Sequence, residues 1–181
     1  MKKLLLLPLL FLSLAQAETI QCKVVGVTDG DTITCLTDQK KQIKVRLYQI
    51  DAPESHQPYG QKAKQELSSM IFNKNVAIEN HGQDRYKRTL GTIYSKELRG
   101  KCLPSGKCIR GVWQDIDVNL ELIKQGYAWY YPFTKKNPEY QQAEQEARAA
   151  KRGLWADKNP VAPWEWRKNI EREGCRLPKK K

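Results

Sequence analysis

Residues 19–94 break into five short strand-like runs with a single helical stretch among them, and that order constrains the fold more than any other feature of the chain. The runs are residues 22–27, 32–35, 40–50, 76–79 and 89–94. Asp29-Gly30-Asp31 separates the first two and reads as a tight turn, since glycine relieves the steric limit and Asp side chains bond the local backbone. In residues 40–50, Ile43, Val45 and Leu47 share one face while Lys44, Arg46 and Tyr48 share the other. Arg46 can therefore point away from a core that its neighbours fill. Ala63, Leu67, Met70 and Ile71 recur at helical spacing within residues 60–73, and a polar turn over residues 81–87 joins the last two runs.

Two further helices are expected. Residues 117–125 are amphipathic through Val118, Leu122 and Ile123 and stop at Gly126, whereas residues 138–152 carry Tyr140, Ala143, Ala147 and Ala150 on one face and stop at Gly153. Five short strands with a helix interposed and helices following predict an α+β fold, a five-stranded OB-type β-barrel with about three packed helices. Residues 18–157 form this domain, and residues 158–181 form a Trp/Pro-rich and then basic tail. Trp155, Trp164 and Trp166 are expected to strap that tail over the helices rather than to stack on bases.

The first 17 residues read as an export signal: Lys2-Lys3, an apolar run from Leu4 to Leu14, and Ala15-Gln16-Ala17 as a small-residue cleavage site. A membrane anchor needs about twenty apolar residues, so the run predicts cleavage after Ala17 and no stable membrane association. The expected destination is the periplasm or the medium. The mature 164 residues suffice for one domain with its own core. Removing Lys2 and Lys3 from a net charge of +12 leaves +10, which favours polyanionic partners without identifying a reaction. Five cysteines in an exported chain predict disulfides with one thiol left over. The preferred pairs are Cys22–Cys35 across the first hairpin and Cys102–Cys108 around a short polar loop, with Cys175 free. A zinc site at Cys102 and Cys108 lacks a second ligand pair.

Acid-bearing and basic elements alternate along the chain. Asp29-Gly30-Asp31-Thr32 and Asp51-Ala52-Pro53-Glu54 bracket Arg46, and Asp84-Arg85-Tyr86-Lys87-Arg88 follows. One Asp-Gly-Asp alone is an ordinary turn, but the ordered set is not. Carboxylates hold hard cations through oxygen, and guanidinium forks hold phosphate oxygens and oppose the charge of a phosphoryl transition state. The combination points to metal-assisted phosphodiester cleavage. A barrel that binds nucleic acid without cutting it is the alternative, and it gives no reason for the full Asp31, Arg46, Asp51, Glu54 and Arg88 set. His56 and His81 sit in loops near these elements, outside any metal-binding histidine motif.

The segments Val27-x-Asp29-Gly30-Asp31-Thr32, Val45-Arg46-Leu47-x-x-Ile50-Asp51-Ala52-Pro53-Glu54 and Asp84-Arg85-Tyr86-Lys87-Arg88-x-Leu90-Gly91-x-Ile93-Tyr94 resemble the staphylococcal (thermonuclease-like) nuclease family. Val118-Asn119-x-x-Leu122-Ile123-x-Gln125-Gly126-Tyr127-Ala128 and the stretch from Ala143 to Trp155 extend the resemblance to residues 20–157. It implies Asp31, Asp51 and the backbone carbonyl of Ala52 as metal ligands, with Asp29 supporting them. It implies Glu54 beside the attacking water as base or water-orienting group, Arg46 and Arg88 on the scissile phosphate, and Tyr86 along the nucleotide. Tyr127 and Tyr130 are weaker candidates for nucleotide contact. The resemblance further implies Ca²⁺ in preference to Mg²⁺, DNA and RNA as substrates with single strands favoured, and 3′-phosphate products; the chain is expected to be a monomer.

Two positions depart from the family pattern. Lys87 stands where glycine is commonest, adding a positive charge near substrate, and Ala52 stands where threonine is frequent, which leaves the carbonyl in place. Residues 95–113 look like an insertion relative to shorter members.

Overall fold

The computed structural model describes residues 19–102 and 108–176. Among the described residues, eight strands and four α-helices form one body. In chain order they are β1 (Thr19–Val27), β2 (Thr32–Thr37), β3 (Gln42–Leu47), β4 (Ile50–Asp51), α1 (Gly60–Ile71), β5 (Asn75–Gln83), β6 (Thr89–Cys102) and β7 (Cys108–Asp117), then α2 (Val118–Lys124), β8 (Trp129–Tyr130), α3 (Pro138–Ala149) and α4 (Pro163–Arg176). A 3-10 turn at Gly153–Ala156 links the last two helices.

The main sheet runs β3-β2-β1-β5-β6-β7, and a parallel pairing of β3 with β6 closes its first five strands into the expected barrel. Gly91 makes that closure possible. A side chain there would strike Ile78 and Val45, so only glycine lets β6 approach β3 at the seam. A register shift between Val24 and Gly26 in β1 curls the sheet toward closure. Val24, Ile33, Val45, Leu47, Ile78 and Ile93 fill the interior, and Ala63, Leu67 and Ile71 of α1 cover it together with Val118, Leu122 and Ile123 of α2. The two-residue spacing in β3 behaves as its sequence requires: Val45 and Leu47 are buried, and Arg46 between them faces the other way.

Asn119 locks the seam from the first turn of α2. Its side chain is wholly buried, accepts from the Ile93 N–H at 3.2 Å, and donates to the carbonyls of Tyr48 at 3.0 Å and Gly91 at 3.1 Å. Asn119→Ala leaves the buried Ile93 N–H and the Tyr48 carbonyl without their partner, while the Gly91 carbonyl keeps the Tyr48 N–H at 2.8 Å, so it is expected to lower stability by about 2 kcal/mol. Denaturant unfolding checks this, with the midpoint falling at an unchanged slope. Asp117 caps α2 by accepting from the Leu120 N–H at 3.0 Å, and Asn137 caps α3 by accepting from the Tyr140 N–H at 3.2 Å, with Pro138 opening that helix.

Two sequence expectations gain detail. The helices number four rather than about three, because α4 forms within the stretch read as a tail. Pro163 suits a first helical turn, and Glu165 pairs with Lys168 along it at 3.1 Å. Residues 95–113 lengthen β6 and create β7, which pair from Tyr94 opposite Asp117 to Cys102 opposite Cys108. The first disulfide is present, with Cys22 and Cys35 joined diagonally across β1 and β2 at a Cα separation of 5.7 Å. The side chains of Cys102, Cys108 and Cys175 lie outside the described residues, as do residues 1–18, so the second pairing, the free thiol and the leader remain expectations of the sequence. Among the described residues no helix is long and apolar enough to cross a membrane.

Candidate active site

The site grows from the turn between β1 and β2. The Asp31 N–H donates to Asp29 Oδ1 at 3.1 Å, and the Asp31 carbonyl accepts from the Leu47 N–H at 2.9 Å. These bonds fix Asp31 beneath the end of β3. Gly30 packs so closely on Ala52 and Ala63 that a side chain would come within 2.7 Å of both. The turn is thereby pressed against the loop after β4, where the Ala52 N–H donates to Asp31 Oδ2 at 3.2 Å.

Arg46 bridges the two acid elements. One terminal nitrogen lies 3.1 Å from Asp31 Oδ2, and the other donates to Asp51 Oδ1 at 2.9 Å. Asp31 is 4% exposed and Asp51 is wholly buried; Asp31 takes its compensating charge from this guanidinium, and Asp51 shares it with a second arginine, Arg167. Burial pushes Asp31 up to about 6 despite Arg46, and Asp29 beside it adds to the rise. Burial likewise raises Asp51, against the bonds it accepts from Arg167. Two buried carboxylates that hold their charge with difficulty would both be relieved by a further positive charge.

Across the cavity, residues 84–88 organise themselves. Asp84 Oδ1 accepts from the N–H groups of Tyr86 and Arg88, each at 2.9 Å, and its Oδ2 accepts from Arg88 Nε at 2.7 Å. Burial opposes ionisation of Asp84, but these donors outweigh it and hold the carboxyl below its ordinary value. The rest of the Arg88 fork faces the acids, with a terminal nitrogen 3.4 Å from Thr32 Oγ1, itself a donor to Asp31 Oδ1 at 2.9 Å. Tyr86 is 64% exposed at the rim, and the Arg85 and Arg88 guanidiniums lie 4.9 and 5.5 Å from its ring centre.

A cavity of about 580 Å³ collects Asp29, Asp31, Arg46, Ala52, Glu54, Tyr86 and Arg88 on its walls. Asp51 lies directly behind Arg46. Other sequence candidates fall elsewhere. Lys87 is exposed at φ 61°, a left-handed conformation, and belongs to the turn rather than to the cavity wall. Glycine adopts that backbone geometry at no steric cost.

Tyr127 packs half-buried on the core, and Tyr130 is buried with its hydroxyl accepting from the Asn137 N–H at 3.0 Å. Tyr131, next in the chain, lines the cavity instead, because its N–H donates to the Gln49 carbonyl at 2.9 Å and turns the chain out after β8. His81 stacks on Tyr48 with ring centres 4.2 Å apart and shares a 2.9 Å hydrogen bond with Thr92; neither it nor His56 lines the cavity.

Sequence reading missed Arg167 altogether. From α4 it donates to Glu54 Oε1 at 2.6 Å and to Asp51 Oδ2 at 2.7 Å. It lies 116 positions from Asp51, so no local spacing could reveal it. Among the described residues no cluster of three or more His, Cys, Asp or Glu side chains is arranged to hold a metal ion, the acids being paired with arginines instead. The donor chemistry nevertheless fits a hard divalent cation. Asp31 and Asp51 offer buried, incompletely compensated carboxylate oxygens, and Ala52 adds a backbone carbonyl.

A barrel carrying paired carboxylates opposite an arginine clamp defines the class of protein, and comparisons with known proteins agree. The model of the staphylococcal nuclease homologue family matches residues 44–157. A Haemophilus influenzae protein named an uncharacterized endonuclease is 43% identical over 171 residues, covering 92% of this chain and 86% of its own. Protein ParB of Escherichia coli is 42% identical over 81% of this chain and 78% of its own, and a Shigella flexneri micrococcal nuclease is 38% identical over 81% and 79%. The chain belongs to the staphylococcal nuclease homologue family and is a nuclease.

Proposed function

We propose that this nuclease is an exported, sugar-nonspecific endonuclease that hydrolyses phosphodiester bonds of DNA and RNA by direct attack of water and leaves 3′-phosphates. The observation that carries this reading is the single cavity in which Asp31, Arg46 and Glu54 face Arg88. Asp31, Asp51 and the Ala52 carbonyl would hold a divalent cation, Ca²⁺ in preference to Mg²⁺, with Asp29 bonding the backbone of the Asp31 turn. When bound, such an ion polarises the phosphoryl group and makes water more acidic.

The chain's own residues supply the rest. Arg46 and Arg88 offer two-pronged donors to the phosphate oxygens, whose charge grows as the water oxygen approaches, so their bonds strengthen toward the transition state. Glu54 is 40% exposed at the cavity wall, and its carboxylate would accept the proton leaving that water. Tyr86 presents an exposed ring to a neighbouring base. A net charge of +10 after removal of residues 1–17 draws nucleic acid of either sugar toward the cavity. The Cys22–Cys35 bridge suits an oxidising compartment, in keeping with export to the periplasm or medium and cleavage after Ala17. The protein acts as a monomer.

Digestion of end-labelled single-stranded DNA and RNA tests this reading through the product ends. 3′-Phosphates from internal cuts in both sugars support it, and 3′-hydroxyls or cutting of one sugar alone would overturn it. Glu54→Gln preserves size and polarity but removes the base. Turnover is expected to fall about a hundredfold or more while oligonucleotide binding persists. Titration of binding beside single-turnover kinetics checks it, and unchanged turnover strikes Glu54 from the reaction.

A further inference from the structure

Arg167 lies beyond the residues matched by the family model and in none of the motifs that mark the site. Its guanidinium makes three contacts with the acids: Glu54 Oε1 at 2.6 Å, Asp51 Oδ2 at 2.7 Å and Asp51 Oδ1 at 3.3 Å. Asp51 Oδ1 also accepts from Arg46 at 2.9 Å. Both oxygens of the fully buried Asp51 are therefore engaged by guanidinium. A divalent cation on Asp51 needs one of those oxygens, and two positive charges at contact distance from it repel. The occupant that yields is the more solvated one: the Arg167 side chain is 39% exposed against 19% for Arg46.

The helix does not depend on this contact. Trp164 meets Trp129, Tyr131 and Phe133 edge-on at ring separations of 5.6, 5.9 and 5.8 Å, and Gln57 Nε2 donates to the Val161 carbonyl at 2.5 Å just ahead of α4. Release from Asp51 thus moves a side chain, and α4 stays docked. The freed fork remains on the wall of the cavity it shares with Arg46 and Arg88. The anion it meets there is a phosphate of the substrate strand.

We propose that Arg167 is a third phosphate-binding arginine, paired with Asp51 and Glu54 while the site lacks a cation and transferred to the nucleic-acid backbone once a divalent cation holds Asp51. The proposal rests on the reading of Asp31 and Asp51 as cation ligands. Its signature is a pair of opposite effects. Because coupling is reciprocal, removing Arg167 must tighten the cation, whereas loss of a phosphate contact must weaken the strand.

The experiment compares the mature wild-type protein with R167Q and R167K. Calorimetric titration with Ca²⁺ alone is expected to show about fivefold to tenfold tighter binding in R167Q. Polarisation of a labelled, cleavage-resistant phosphorothioate oligonucleotide at saturating Ca²⁺ is expected to show about fivefold to tenfold weaker binding, with a salt slope shallower by about one. R167K keeps the charge without the fork and should fall between, which also guards against a folding defect in R167Q. Unchanged Ca²⁺ affinity or unchanged oligonucleotide affinity in R167Q overturns the proposal. Absence of Ca²⁺ binding by wild type and variants alike overturns the cation-ligand reading, and the proposal with it.

Discussion

Arg46→Ala and Arg88→Ala will each lower turnover by at least about a hundredfold, because on the proposed mechanism each removes a donor whose bond to phosphate strengthens as negative charge builds in the transition state. Lysine will not restore the rate at either position, since a single ammonium cannot reproduce the two-pronged geometry. The variants separate in stability. From sequence, neither change is expected to disturb folding much; the structure revises this for Arg46. Its fork bridges Asp31 and Asp51, whose side chains are 6% and 1% exposed, so alanine leaves buried carboxylates short of a partner. The cation-free Arg46→Ala protein is expected to lose about 3 kcal/mol, with Arg167 still covering Asp51. Arg88→Ala is expected to lose only about 1 kcal/mol, since the Tyr86 and residue-88 backbone N–H groups continue to satisfy Asp84. Single-turnover kinetics beside denaturant unfolding checks both halves. Wild-type rates in either variant would remove that arginine from the mechanism.

What could be read in the sequence was what local chemistry determines. The Asp29-Gly30-Asp31 turn carries its own hydrogen bond, Arg46 follows from two-residue alternation in β3, and residues 84–88 build their own network around Asp84. The barrel was legible for the same reason, since short alternating runs and turn residues state strand order directly. Choices made by tertiary packing were not. β8 has only two residues, both buried, so alternation could not tell which of Tyr130 and Tyr131 faces the cavity. Asn119 looks like any polar residue opening a helix, and only the barrel seam shows why it is buried. α4 is masked by its tryptophans and prolines, which suggest a strap; the structure makes it a helix that packs one of those rings on Trp129 and brings Arg167 to Asp51.

The second large effect concerns the cation. Asp31 and Asp51 are buried, and burial raises both, so a divalent ion held by them, as proposed, would relieve both carboxylates. Arginines alone offset the carboxylates in its absence, and a phosphate drawn to the cavity then competes for those same forks. Cutting should therefore collapse without the ion, rather than merely slow. Restoration by Mg²⁺ but not Ca²⁺ would keep the enzyme and change the ion.

The decisive measurement is digestion of single-stranded DNA and RNA by the protein lacking residues 1–17, first in excess chelator and then with Ca²⁺ restored. The account predicts no cutting of either polymer under chelation and recovery of both activities with Ca²⁺; full activity in excess chelator would contradict it.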